Sequence, residues 1–144
     1  MPGYPIDIEA ALAAALGTAL GSEAGVSAPP LPEGYSAGPF VLVTRTGGST
    51  LSGTAGRVYS IHNVDIDCYS DTWAAAQYLA SWTAGIVQAL PGEMLSYDWL
   101  EDDTEPCSVP VYTVDLGMPY TNPDPKHPNV PRVTFPATLA TGTY

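Results

Sequence analysis

The chain has 144 residues, a mass of 15.1 kDa and a formal net charge of −11, with 15 acidic residues against four lysines and arginines. Four scattered cations cannot form the basic patch that tight nucleic-acid binding requires, so that class of function is excluded. Charged residues make up 13% of the chain, about half the usual share, and a surface so poor in charge is suited to contact with other protein.

The N-terminal third of the sequence predicts one helix and a linker. The stretch "IDIEAALAAALGTALGSE" predicts a helix within residues 1–22, capped by Asp7 and ended by Gly17 or Gly21. Residues 23–39 are rich in Pro, Gly and Ser and predict an extended linker. The apolar run follows acids rather than Lys or Arg, which argues against a secretion signal, and no stretch is long enough to span a membrane. Two cysteines without metal-type spacing are expected to be reduced thiols.

The next segment predicts a β-hairpin. Residues 40–46 (FVLVTRT) and 57–70 (RVYSIHNVDIDCYS) are rich in β-branched residues, and the glycine-rich 47–56 predicts a hairpin loop rather than a phosphate cradle. The period of two divides the second strand into a core face and an opposite face. The core face carries Val58, His62, Val64, Ile66 and Cys68; the opposite face carries Tyr59, Ile61, Asn63, Asp65, Asp67 and Tyr69.

A second helix is predicted after the hairpin, with Ser70 or Asp71 as its cap and Pro91-Gly92 as its end. Its core stripe is predicted from helical spacing, with the other faces turned away from the core. The stripe is Ala75, Leu79, Trp82, Ile86 and Leu90; the other faces carry Trp73, Gln77, Ala80, Ala84 and Val87. Because the helix has no charge after Asp71, we expect both of its sides to be covered, the second by another subunit.

Two further strands are predicted, over "CSVPVYTVDLGMP" and "NVPRVTFPATLAT". In the first, Val109, Val111, Thr113 and Asp115 are predicted to share one face. In the second, Pro136 predicts an edge strand or a bend. Between them, residues 119–131 are rich in proline and predict a stiff, exposed arm in which His127 is exposed. The order of elements predicts an α+β domain over residues 40–144. Its sheet is mainly antiparallel and roughly four-stranded, with one dominant helix packed across it in addition to the N-terminal helix.

Motifs for catalysis or metal binding are weak. Asp65 and Asp67 lie on one strand face, and the acids of residues 101–105 could add ligands, but His62 points to the opposite face. We therefore expect no metal site, no cofactor and no enzyme activity, and interpret the two aspartates as a solvated or pore-facing surface. His62 is expected to be a hydrogen-bonded strand residue. The tryptophans and tyrosines are expected in the core and at interfaces, rather than in a ligand groove.

Three stretches together resemble the tail terminator proteins of long-tailed bacteriophages, also called tail completion or minor tail proteins. They are "VLVTRTGG" (41–48), "VYSIHNVDIDCYS" running into "DTWAAAQYLASWTAGIVQAL", and "MPYTNPDPKHPNVPRVTFPATL", so the resemblance spans residues 40–140. The resemblance implies a virion protein at the tail-neck junction, assembled in the host bacterial cytoplasm. It implies a homohexameric ring that caps the tail tube, ends its polymerisation and joins it to the head-tail connector or stopper protein. Viral DNA would pass through the lumen without specific binding.

If the chain forms such a ring, two of its surfaces can be assigned candidate residues. Candidates for the ring interface are Arg45, Trp73, Gln77, Tyr120, Asn122, Asp124 and Arg132, and candidates for the lumen are Asp65 and Asp67. Arg45 and Arg132 could instead form ion pairs within one subunit. Three other functions stay open: another neck component, such as a head-closure or connector adaptor; a small acidic metal-dependent enzyme; and a monomeric binding module that uses its tyrosines.

Overall fold

The computed structural model describes residues 6–52, 58–97 and 107–143. Within these residues the chain forms two α-helices, α1 (Ile8–Leu20) and α2 (Trp73–Gln88), and a 3-10 turn at Gly21–Glu23. Seven strands accompany them: β1 (Gly25–Ser27), β2 (Phe40–Ser52), β3 (Val58–Tyr69), β4 (Met94–Tyr97), β5 (Cys107–Leu116), β6 (Tyr120–Thr121) and β7 (Arg132–Gly142). In the part of the chain that the structure describes, no helix is long and apolar enough to cross a membrane.

The strands form one mixed sheet in the order β1-β2-β3-β7-β5-β4, and β6 pairs with β7 beyond the end of β5. Only the pairing of β1 with β2 is parallel among the described strands. The α+β class and the mainly antiparallel sheet agree with the sequence prediction, but four strands were too few. The three strands that it missed are short, two to four residues each, and β1 lies inside the predicted linker.

Both helices pack on one face of the sheet, which we call the inner face. The core there includes Leu12 and Leu16 of α1, Ile66 of β3, and Phe135 and Leu139 of β7, all fully buried. The Asp7 carboxylate caps α1 by accepting from the backbone N–H of Ala10 at 3.2 Å, as predicted. The helix ends at Gly21, whose φ of 60° suits glycine.

The buried stripe of α2 differs from the predicted one. It consists of Ala76, Leu79, Ala80, Thr83 and Val87, whereas Trp82 and Ile86 are only partly buried. Leu79 belongs to both stripes, and Leu90 just after the helix is buried as predicted. The buried side is nevertheless rotated from the predicted one, toward Ala76, Ala80 and Thr83. The cap is Thr72, whose Oγ1 accepts from the N–H of Ala75 at 3.0 Å, rather than Ser70 or Asp71.

The β2–β3 hairpin is longer than predicted. Residues 47–52, expected to be loop, continue β2 and pair with residues 58–63 of β3 after a bulge between Arg45 and Gly47. The backbone hydrogen bonds of the ladder, made by each residue of a strand whatever its side chain, outweigh the low β-propensity of this Gly/Ser/Thr stretch. The remainder of the predicted loop, residues 53–57, lies outside the described residues.

The predicted edge position of Pro136 is wrong, because β7 lies in the middle of the sheet between β3 and β5. The Pro136 carbonyl accepts from the N–H of Gly117 at 2.9 Å, so the N–H that proline lacks would point to the same side. On that side β5 has ended at Leu116 and β6 has not yet begun at Tyr120. A central strand tolerates this proline because its missing donor faces a gap in the neighbouring ladder.

The predicted faces of β5 hold only in its first half. Val109 and Val111 are buried, but the register shifts between Val111 and Thr113. Beyond this bulge Val114 and Leu116 pack against the core, while Thr113 and Asp115 are exposed. One extra residue on a bulged strand exchanges the two faces, and the alternation of the sequence does not indicate where this happens.

Candidate functional site

Tyr69 organises the face of the sheet opposite the helices, which we call the outer face. It ends β3, is 1% exposed, and its hydroxyl donates to a carboxylate oxygen of Asp124 at 2.9 Å. The ring of Tyr35 stands edge-on to it at a centroid distance of 5.7 Å, and Leu42 and Val130 complete a small second apolar cluster. One end of the outer face is therefore covered by the chain's own loops.

Asp124 is the acceptor on which this region converges. It is 8% exposed and accepts from the Tyr69 hydroxyl, from the backbone N–H of Lys126 at 2.9 Å and from Nδ1 of His127, which lies at 3.2 Å. Burial raises the pKa of the carboxyl, but these three hydrogen bonds and the charge of Arg132 outweigh burial and hold the pKa below its ordinary value. Asp124 is therefore a charged structural acceptor.

Arg132 completes the network at the start of β7. Its Nε donates to the carbonyl of Asn122 at 2.6 Å, and its Nη1 donates to the Tyr69 hydroxyl at 3.3 Å and lies 3.8 Å from Asp124. Burial lowers the pKa of the guanidinium, but the bond to Tyr69 and the nearby carboxylates more than offset this and raise the pKa. Of the two alternatives for Arg132, the structure contains the ion pair within the subunit.

The proline-rich segment 119–131 lies along the sheet, with seven of its 13 residues exposed. Tyr120 and Thr121 pair with β7 as strand β6, while Asp124, Val130 and Pro131 are buried. Two turns fold the segment back over the sheet. In the first the N–H of His127 donates to the Asp124 carbonyl, and in the second the N–H of Val130 donates to the His127 carbonyl. His127, predicted to be exposed, has 28% of its side chain exposed and stands edge-on to the ring of Tyr35. That the exposed side of segment 119–131 contacts a neighbouring subunit stays a prediction.

The two lumen candidates have different environments. Asp65 is half-buried on the open part of the outer face. Asp67 is 8% exposed and accepts from Oγ1 of Thr134 at 2.6 Å; burial raises its pKa, and the bond from Thr134 opposes the rise only in part. Asp65 alone of the pair presents its carboxylate to solvent. Within the described residues no group of three or more His, Cys, Asp or Glu side chains could hold a metal ion, and the acids of residues 101–105 lie outside them.

The remaining interface candidates lie at separate places on the surface. Arg45 is exposed on β2, and Tyr120 is 49% exposed on β6. Trp73 and Gln77 are exposed on α2, beside Tyr78, which is 70% exposed and which the sequence did not single out. The exposed side of α2 carries no charged residue and displays two large aromatic rings, as an interface helix would. The candidates thus form the outer-face network (Asn122, Asp124, Arg132), the α2 face (Trp73, Gln77) and two separate residues (Arg45, Tyr120).

A cleft of about 440 Å³ opens beside the Tyr69 network. Its apolar lining comes from Leu42 and from residues 29–31 after β1, and its polar lining comes mostly from the proline-rich segment and the start of β7. Its lining residues are Pro29, Pro30, Leu31, Leu42, Tyr69, Asp124, Lys126, His127 and Arg132. Sequence reasoning missed this cleft because its lining comes from four segments that are far apart in the chain.

His62 is a buried strand residue, as predicted. It is 1% exposed, and its Nε2 lies 3.0 Å from Oγ1 of Thr141 on β7. Burial, and secondarily the charge of Arg45, lower its pKa to about 4. The imidazole is therefore neutral at physiological pH.

No protein-family model and no curated protein matches this sequence. Among solved structures, a chain of the "Virion of native gene transfer agent (GTA) particle" superposes with a TM-score of 0.60. The match covers 94% of this chain and 94% of that chain, at 15% sequence identity. This chain shares its fold with a component of that particle over nearly the whole length of both.

Proposed function

We propose that this chain is a structural protein of a phage-like virion and acts as its tail terminator. In this role copies form a homohexameric ring at the tail-neck junction that caps the tail tube, ends its polymerisation and joins it to the head-tail connector or stopper protein. The observation that carries the proposal is the fold likeness to a chain of the gene transfer agent virion over 94% of both chains, combined with the sequence resemblance to tail terminators. No catalytic step belongs to this role.

The surface chemistry supports association with other protein. The exposed side of α2 has no charge and carries Trp73 and Tyr78, whose burial at an interface would remove apolar area from water. We propose this side, with Gln77, as part of the ring interface. Arg45 and Tyr120 are proposed as further contacts, and the exposed parts of the proline-rich segment that holds Asn122 and Asp124 as a third.

The charge of the chain supports a passage for DNA. Six copies at −11 each would give a ring of 6 × −11 = −66, and DNA would slide through such a lumen without sticking to it. On the outer face Asp65 and Asp115 present carboxylates to solvent and could line the passage. Asp67 is buried and would not contact DNA directly. Assembly would take place in the host cytoplasm, with the finished ring in the virion.

The test is negative-stain microscopy and light scattering of the purified protein, alone and mixed with self-assembling tubes of the tail protein from the same genome. We expect rings of six subunits, or caps at one tube end that stop elongation. Monomers that leave tube growth unchanged would overturn the tail role. A ring or twelvefold assembly that ignores tubes but binds the connector would point to a head-closure or connector adaptor instead.

The metal-enzyme alternative has a direct test. A metal bound only by the folded protein must raise its melting temperature, and Asp65→Ala should remove the rise. We expect divalent metal to leave the melting temperature of both proteins unchanged. A metal-induced rise in the melting temperature of the wild type that is absent in Asp65→Ala would favour the metal-enzyme alternative.

A further inference from the structure

The cleft beside Tyr69 gathers cations in a chain that is otherwise acidic. Lys126 and Arg132 line it, two of the three lysines and arginines among the described residues, and His127 stands beside them. Arg132 has Asp124 as its counterion at 3.8 Å. Lys126 is exposed and has no carboxylate within 4.0 Å in the described part of the chain, so its charge is available to a partner.

The cleft also has an apolar lining, which consists of Pro29, Pro30, Leu31 and Leu42. The volume of about 440 Å³ lies within the roughly 300–1,000 Å³ typical of ligand clefts. A cleft of this kind accepts a segment in which an apolar side chain is followed closely by carboxylates.

A second copy of this chain carries such a segment. Two copies at −11 repel each other, and a contact that places the carboxylates of one at the few cations of the other offsets part of this repulsion. The densest acidic run is DWLEDDTEP, residues 98–106, with five acids, no cation and the apolar pair Trp99-Leu100. We propose that residues 98–106 of one copy dock into the Lys126 cleft of the next copy.

The described neighbours of this segment favour a contact between copies. Residues 98–106 connect Tyr97 to Cys107, which are cross-strand partners at the end of the β4–β5 ladder. In the β5–β7 register Val111 pairs with Thr141, which places Cys107 toward the C-terminal end of β7, whereas Arg132 at the start of β7 lines the cleft. The residues that flank the segment and the cleft of the same copy thus lie toward opposite ends of β7, so the proposed contact between copies is head-to-tail, and its repetition closes a ring when the rotation per copy allows. The inference deepens the proposed function, on which it rests for the premise that copies associate.

The chain offers a selective chemical probe, because Lys126 is its only lysine. A water-soluble carbodiimide activates a carboxylate, which the Lys126 amine then attacks to form an amide bond and release the urea by-product. We would cross-link a mixture of ¹⁴N- and ¹⁵N-labelled wild-type protein and identify the joined peptides by mass spectrometry. We expect mixed-label cross-links between Lys126 and acids of residues 98–106. Cross-links of a single label only, or none to this segment, would overturn the docking.

Matched variants distinguish the reactivity of the Lys126 amine from the effect of its charge. Lys126→Arg keeps the charge but loses the amine, so association should persist while the cross-link disappears. Lys126→Glu, and separately Asp102→Lys with Asp103→Lys, should each weaken self-association about tenfold or more, and the combined variant should restore it. Unchanged association in both charge variants, or no restoration by their combination, would overturn the inference. Mixed-label cross-links without capped tubes would leave the docking standing and sink the tail role. Capped tubes without such cross-links would support the tail role and overturn the docking.

Discussion

At the scale of single residues, the molecule combines two kinds of buried polar group. Asp124, 8% exposed, is ionised and surrounded by donors, whereas His62, 1% exposed, is neutral and has one hydrogen-bond partner. The difference follows from what each group meets when it is buried: a charged form persists only where hydrogen bonds and a counterion replace water. The folded-state pKa of both groups lies below the unfolded value, so each makes the protein less stable as pH falls, and each leads to a prediction.

Asp124→Asn should lower the free energy of unfolding by about 1–3 kcal/mol, because an amide provides fewer acceptor sites for Tyr69 and the Lys126 N–H and no charge for Arg132. Urea unfolding measures the loss. The folded pKa of Asp124 is lowered, so its contribution is fully present above its unfolded pKa of about 4 and is lost as pH falls through the folded value. The exposed Asp115→Asn should change stability by less than about 0.5 kcal/mol. Equal effects of the two variants would contradict the network.

His62 predicts a loss of stability in mild acid. Its pKa falls from about 6.5 in the unfolded chain to about 4 in the folded protein. Between these values only the unfolded chain binds the proton, so the free energy of unfolding decreases as pH drops, by up to about 1.4 kcal/mol per pH unit. His62→Gln, which can still bond Thr141, should remove this slope when unfolding is followed across that pH window. A slope identical in wild type and variant would show that other groups cause it.

At the scale of elements, β7 shows how a central strand accommodates a proline. Pro136 faces the gap between β5 and β6, and Gly117 approaches it so closely that a Cβ atom there would overlap the proline ring. Gly117→Ala should therefore cost about 1–3 kcal/mol in stability. Gly85→Ala on the exposed side of α2, where no atom lies within 4 Å of the new methyl group, should instead stabilise by up to about 1 kcal/mol. Thermal unfolding of the two variants would test the opposite signs; a tolerated Gly117→Ala would refute the close packing.

The exposed side of α2 leads to a prediction about association. Tyr78→Glu places a charge on the uncharged surface beside Trp82, whose ring centroid lies 6.2 Å from that of Tyr78. We expect sedimentation to show weaker self-association, with stability changed by less than about 0.5 kcal/mol because the side chain is 70% exposed. Ser22→Glu, in the exposed turn after α1, adds the same charge and should leave association unchanged. Loss of association in both variants would point to net charge rather than to this surface.

The elements also show which parts of the fold were predictable. Residues 58–69 and 73–88 carry strong periodic patterns, and β3 and α2 were predicted close to their observed bounds. The buried side of α2 was predicted only in part, at Leu79, because the burial of Ala76 and Ala80 depends on the partner surface rather than on hydrophobicity. Pro136 was misplaced for a similar reason: its tolerance in β7 depends on where β5 ends. The network around Tyr69 joins residues more than 50 positions apart, and no local pattern connects them.

At the scale of the whole molecule, net charge and surface contacts oppose each other. Each copy carries −11, so copies repel at long range, while the proposed contacts at the α2 face and the Lys126 cleft act only at close range. The repulsion extends over the Debye length, which shrinks from about 30 Å at 0.01 M to about 8 Å at 0.15 M ionic strength. Short contacts that exclude water are screened much less. If copies associate as proposed, salt should help to bring them together.

Self-association should therefore strengthen as ionic strength rises from low to physiological values, because screening removes more long-range repulsion than close-range attraction. Sedimentation equilibrium at a series of NaCl concentrations measures it, and a matched series with an uncharged osmolyte controls for crowding. Lys126→Glu should show a steeper gain with salt than the wild type, since it adds two negative charges per copy and turns an attraction into a repulsion. A wild-type association that weakens steadily with salt would mean that ion pairs, rather than the uncharged α2 surface, provide most of the contact energy.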